Sequence, residues 1–110
     1  MSRAPVDYLH GTLETLILKT LTRSSMHGYA IARWIEDATH DAFAVEEGSL
    51  YPALYRMDKK GWVEGEWGTS ELGRRAKFYR LTRAGRQQLA SDTAAWNTFA
   101  SAVTRILVKV

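Results

Sequence analysis

Apolar positions recur along the first half of the chain at the spacing of a helix rather than of a strand. Leu13, Leu16, Ile17 and Leu21, with Leu18 beside them, make one stripe and predict a helix from His10 to about Thr22. Arg23-Ser24-Ser25 interrupts it. A second helix is expected to open at His27-Gly28-Tyr29 and to run to about Thr39. Ile31, Ile35 and Ala38 turn inward, Ala32 offers a close-packing surface, and Tyr29 is assigned to the core. Residues 41–45 connect to a third helix ending at Lys60, with Leu50, Leu54 and Met57 as its stripe. Its start is open between Glu46 and Ser49. Pro52 is comfortable in a first helical turn, where its missing N–H has no partner, which suits Ser49 as N-cap. A start at Glu46 would put Pro52 where it should distort the helix. Gly61 supplies the stop, because glycine takes the left-handed conformation without a Cβ penalty.

The period then changes. Trp62 to Trp67 alternates, with Val63 and Trp67 on one face and Glu64 and Glu66 on the other. Residues 68–73 are rich in turn formers, and Ala76 to Leu81 alternates again with Tyr79 and Leu81 inward. Two alternating runs joined by a glycine-flanked loop read as a β-hairpin. Thr82 is expected to cap a last helix that starts at Arg83. Leu89, Trp96, Val103 and Val110 recur every seven residues along it, with Phe99 and Ile106 between them. Such a repeat keeps one seam toward a partner helix. A domain this small has little core left for a helix of about 25 residues. The seam is therefore expected to pack on a second copy rather than inside its own subunit. The fold class is mainly α with a small β-hairpin (α+β). An N-terminal arm would cover residues 1–8, a compact domain 9–82, and the long helix 83–110.

Composition narrows the function. A chain of 110 residues with 45% hydrophobic and 25% charged content is an ordinary globular domain. No run approaches the roughly 18 apolar residues that span a bilayer, and the first residues lack a signal-peptide pattern. There is no Cys, so disulfides and thiolate metal sites are excluded. These features favour the cytoplasm. His10, His27 and His40 lie at no metal-ligand spacing, and neither a phosphate loop nor a nucleophile elbow occurs. No enzyme activity, metal or cofactor is expected.

The net charge of +3 is mild, but it is segregated. From Glu36 to Tyr55 there are five acids and no Lys or Arg. From Leu72 to Ser91 there are six bases (Arg74, Arg75, Lys77, Arg80, Arg83 and Arg86) and no acid. A basic segment of this kind suits a polyanion, or else it is a solvated surface. The third helix sets Tyr51, Tyr55, Arg56, Lys59 and Lys60 against its apolar stripe. Tyrosine offers a flat body with a polar tip, and Arg pairs with phosphate or a guanine edge. Insertion of this helix into a DNA groove is the expectation. A protein-binding module is the alternative, favoured by the acidic segment between Glu36 and Glu47.

The order helix, helix, helix, hairpin, helix is that of a winged helix-turn-helix domain. Specific residues also carry a likeness. They are Gly11-Thr12-Leu13, His27-Gly28-Tyr29-Ala30-Ile31, Gly48-Ser49-Leu50-Tyr51-Pro52-Ala53-Leu54, Gly61-Trp62-Val63, Gly73 through Thr82, and Gly85. In combination they resemble the PadR-like transcriptional regulators, from Leu9 to about Leu89. The resemblance implies a homodimeric DNA-binding repressor with a double-stranded operator in inverted-repeat form. The third helix would be its recognition helix and residues 62–81 its wing, while the last helix would resemble the dimerisation helix of a subgroup with a single short one. Ser49, Tyr51 and Arg56 would face the groove, with Lys59 and Lys60 nearer the DNA backbone. Arg74, Arg75 and Lys77 would grip phosphates or enter the minor groove. Arg56 could serve phosphate or base. Tyr51 could instead be a buried aromatic closing the turn between the second and third helices, and Arg56 could pair with an acid such as Glu36 or Asp37. Glu46-Glu47 departs from the family, which often has a Ser, Thr or Asn cap followed by Pro there. Leu89, Trp96, Phe99, Val103, Ile106 and Val110 would form the dimer interface. Some members are similar in placing aromatics around a cavity between subunits that accepts planar aromatic effectors. Here Trp96, Phe99 and Tyr8 would line it; a dry, plainly packed seam is the alternative.

Overall fold

The structure is a computed structural model that describes residues 11–109. The elements run α1 (Leu13–Leu21), β1 (Met26–His27), α2 (Gly28–Ala38), α3 (Glu47–Lys59), β2 (Val63–Thr69), β3 (Arg75–Leu81) and α4 (Arg83–Lys109). This is the expected α+β class, with one addition. The hairpin is part of a three-stranded antiparallel sheet of order β1-β3-β2. The two-residue strand β1 pairs Met26 with Tyr79 and His27 with Phe78. Across the hairpin Val63 faces Leu81 and Thr69 faces Arg75.

The three short helices and the base of the hairpin enclose one core. α1 contributes Leu13, Ile17, Leu18 and Leu21, and α2 contributes Ile31, Ala32 and Ile35. α3 adds Leu50, Ala53, Leu54 and Met57, and the sheet adds Val63, Tyr79 and Leu81. Thr20 is buried with them, and its hydroxyl donates to the Leu16 carbonyl at 2.7 Å, so no polar group is stranded. Ala38, expected inward, is exposed at the last turn of α2.

Local chemistry explains the boundaries. His27 caps α2, its Nδ1 accepting from the Ala30 amide at 3.2 Å. α3 ends in a Schellman arrangement: the Trp62 amide donates to the Met57 carbonyl at 3.0 Å and the Gly61 amide to Asp58 at 2.9 Å, with Gly61 at φ +78. Its start lies at the earlier of the two expected places. Glu46 is the N-cap without a side-chain cap bond, so Pro52 sits in the sixth helical position and not in the first turn. A proline there removes the bond its N–H would make and costs about 3 kcal/mol. Burial of Leu50, Leu54 and Met57, worth about 1.5–3 kcal/mol each, outweighs it.

Thr82 caps α4 as expected. Its hydroxyl accepts from the Gly85 amide at 3.0 Å and lies 2.9 Å from the Trp62 carbonyl, to which it can donate. The helix packs on α1 only over its first turns. There Leu89 touches the core, Thr15 donates to Asp92 at 2.9 Å, and Gln88 donates to the same carboxylate at 2.7 Å. Beyond Asp92 it carries Trp96, Phe99, Val103, Ile106, Leu107 and Val108 exposed.

Candidate nucleic-acid interface

The buried stripe of α3 defines its outward face by periodicity. At about 100° per residue, Gly48, Pro52, Tyr55 and Lys59 lie opposite Leu50 and Leu54, and all four are exposed. Of the DNA contacts expected on this helix, Lys59 lies on that stripe and Ser49, Tyr51, Arg56 and Lys60 stand on its flanks. On one flank Ser49 is half-buried, and Arg56 and Lys60 both reach Glu14 of α1, at 3.0 Å and 3.9 Å. Arg56 therefore does have an acidic partner, but it is Glu14 and neither Glu36 nor Asp37. Glu36 instead accepts the Val45 amide at 2.9 Å, tying the end of the acidic segment to α2.

On the other flank stands Tyr51, 44% exposed. Its ring presses on Gly28, where an added Cβ would lie 2.7 Å from the nearest ring carbon. Tyr51 thus packs at the α2–α3 junction, as the alternative reading has it, but it is exposed there and not buried. Lys59 is drawn over the Tyr55 ring at 5.3 Å. A cation held over a π face keeps its charge outward while its stem stays on apolar surface.

The wing gathers the remaining cations. Arg75 stacks on Trp67 with its guanidinium carbon 4.6 Å from the centroid, and Lys77 approaches the same ring at 6.0 Å and Tyr79 at 5.8 Å. Gly65 makes this possible, because a Cβ there would meet the Lys77 stem. Trp67 shares the face of Val63 as the alternation predicts, but it is 57% exposed. The hairpin outruns the core, so the outer end of an inward face has nothing to cover it. Arg74 lies in the turn, where the Ser70 amide donates to its carbonyl at 2.8 Å. Arg80 is spent on an ion pair with Glu64.

Between the wing and α3 lies a cleft of about 640 Å³, walled by Gly28, Tyr29, Tyr51, Trp67, Arg75 and Lys77. Tyr29 was expected in the core, but it is 64% exposed in this wall. It follows the buried Gly28 in the first turn of α2 but lies off the line of Ile31 and Ile35. At the rim Glu71 comes within 3.6 Å of His27 Nε2. A hydrogen bond from its own backbone amide holds its carboxyl below the usual range, with His27 adding to the effect. On the cleft floor, burial raises the Tyr79 hydroxyl above its ordinary pKa, and the charge of Asp58 and then Tyr51 push the same way.

On α4 the rings of Trp96 and Phe99 lie 6.1 Å apart on an open helix face. With Val103 and Ile106 they form the exposed part of the expected seam, and Leu107 and Val108 extend the apolar surface beyond it. Tyr8 and Val110, named for the effector cavity and the seam, lie outside the described residues, as does the arm at residues 1–8. Among the described residues no group of His, Cys, Asp or Glu could hold a metal ion, and no helix is long and apolar enough to cross a membrane.

Known proteins are similar to this chain in sequence and in fold. A chain of Mycobacterium tuberculosis described as a transcriptional regulator is 31% identical over 98 residues, which cover 88% of this chain and 87% of that one. A PadR-like transcriptional regulator from Bacillus cereus superposes with a TM-score of 0.79 at 32% identity, covering 93% of this chain and 97% of its own. A transcriptional regulator from Clostridium thermocellum reaches a TM-score of 0.83 at 26% identity, covering 90% and 96%. The model of the transcriptional regulator PadR-like family matches residues 17–91. That stretch holds α2, α3 and the whole wing, and by it the chain belongs to the PadR-like family of transcriptional regulators.

Proposed function

We propose that this protein is a ligand-responsive repressor in the cytoplasm that binds an inverted-repeat operator as a homodimer. The observation that carries the reading is the meeting of Tyr51 of α3 with Arg74, Arg75 and Lys77 of the wing around one cleft. α3 enters the major groove, and Arg74, Arg75 and Lys77 hold the flanking phosphates. Ser49 and Tyr51 border the groove, while Arg56 and Lys60 reach it only by leaving Glu14. Two copies joined through Leu89, Trp96, Phe99, Val103, Ile106 and Val110 present two such helices. Half-sites one turn apart, roughly 34 Å, follow from that symmetry. A planar aromatic effector is the ligand that Trp96 and Phe99, with Tyr8, would accept between subunits.

The test is fluorescence anisotropy against duplex DNA from upstream of the protein's own gene, with a scrambled duplex beside it, across a salt series. Specific binding with a steep log–log slope is expected. Arg75→Ala should weaken both duplexes and flatten the slope by about 0.9, the share of one phosphate contact. A dimer with no affinity for any duplex at low salt would refute the reading and leave a module that binds protein.

A further inference from the structure

The outward stripe of α3 is unusually poor in groups that read bases by hydrogen bonding. Adenine is commonly read by the bidentate amide of Asn or Gln, and guanine by Arg or Lys. Neither Asn nor Gln occurs anywhere in residues 1–86, and the first is Gln87 in α4. The one guanidinium on α3 is Arg56, and it donates to Glu14 at 3.0 Å. Lys59 closes the stripe at its C-terminal end, with its ammonium over the Tyr55 ring. The middle of the stripe is the Pro52 ring and the body of Tyr55, both exposed, with Gly48 before them and open space where its side chain would be.

Ring carbons pressed into a major groove recognise one feature there, the 5-methyl group of thymine. We propose that α3 takes its sequence selectivity from apolar contact of Pro52 and Tyr55 with thymine methyl groups. Each half-site then carries T·A pairs where this stripe meets the groove. The inference rests on the DNA-binding reading above and specifies how that same surface tells one sequence from another. Pro52 has a use in it. Its ring is rigid and has no donor, so it fits a methyl group and rejects a polar edge. That gives a reason for a proline at a helical position where it costs stability.

The experiment starts from duplexes selected by the full-length protein out of a random library. Every thymine of the selected duplex is replaced in turn by deoxyuridine, which removes only the methyl group. Every purine is replaced in turn by its 7-deaza form, which removes the N7 acceptor. Loss of one buried methyl group is expected to weaken binding about fourfold, and about fifteenfold when both half-sites are changed together. Pro52→Ser, which restores a backbone N–H and so suits the helix, should still bind but lose most of the uracil penalty. Tyr55→Phe should keep it, because the ring remains. Uracil tolerated at every position while 7-deaza purines weaken binding would overturn the proposal, as would a uracil penalty unchanged in both Pro52→Ser and Tyr55→Ala. If no duplex is selected at all, the DNA-binding reading falls first, before any modified base is used.

Discussion

Gly85 offers a test in which the sign alone decides. It lies in the first turn of α4 and is buried. Replacing a helical glycine by alanine ordinarily stabilises by about 0.5–1 kcal/mol, because glycine loses more freedom on folding. Here a Cβ would meet the Trp62 carbonyl oxygen at 2.1 Å and the Leu81 side chain at 2.7 Å. The first is backbone and cannot rotate away. Helix and strand entrance would have to part by roughly 1.3 Å to reach ordinary contact. That separation strains the Thr82 amide bond to the Trp62 carbonyl at 3.1 Å and the Gly85 amide bond to the Thr82 hydroxyl at 3.0 Å. Overpacking of this kind costs about 1–3 kcal/mol, and each weakened hydrogen bond adds about 1 kcal/mol. Set against the helical gain, Gly85→Ala should destabilise by about 2–4.5 kcal/mol. Urea unfolding at fixed protein concentration, followed by helical circular dichroism, measures it. Gly48→Ala is the control: its Cβ would meet open space, so the same exchange should be neutral or stabilising by up to about 1 kcal/mol. A midpoint raised in both variants would refute the claim that α4 is docked on the Trp62 carbonyl.

Three further outcomes follow from the geometry. Glu14→Gln should release Arg56 and Lys60, raising affinity for any duplex and steepening the salt slope by up to about 1.8, with under about 1 kcal/mol lost in stability; an unchanged slope in the same anisotropy series would remove both residues from the DNA surface. Tyr79 has a folded pKa raised by burial, so above about pH 10 the unfolded chain loses its proton first and stability falls; Tyr79→Phe should flatten that fall in unfolding curves taken across the range. Trp96→Ala should weaken self-association in sedimentation, and an unaltered mass at micromolar concentration would argue against the seam as an interface.

Periodicity told inward from outward well, and it erred where the core ends. The stripes of α1, α2 and α3 were legible because fully buried positions at helical spacing leave little choice. Tyr29 was assigned to the core and is exposed, while Trp67 was placed by alternation on the face of Val63. Alternation gives a side of the sheet but not how far along it the core extends, and Trp67 lies past that point. The strand β1 was illegible for a simpler reason. Two residues have no period, and Met26 and His27 are extended because β3 offers an edge to pair with.

The candidate site was legible as residue types and only partly as geometry. The sequence named the cations of α3 and the wing, but neighbours far along the chain decide which of them are available. Arg56 is turned to Glu14, 42 positions away, and Tyr51 is seated on Gly28. Neither relation leaves a periodic signal. The outward stripe of Gly48, Pro52, Tyr55 and Lys59 did leave one, being the complement of Leu50, Leu54 and Met57. Of its four residues only Lys59 is among the expected DNA contacts, because charge favours the flanks as well. The charged residues on that helix are the ones most readily taken up by pairing within the chain. The Pro52 ring offers nothing for a charge or a hydrogen bond to satisfy, so its exposed carbons are the part of this helix most dependent on something outside the subunit.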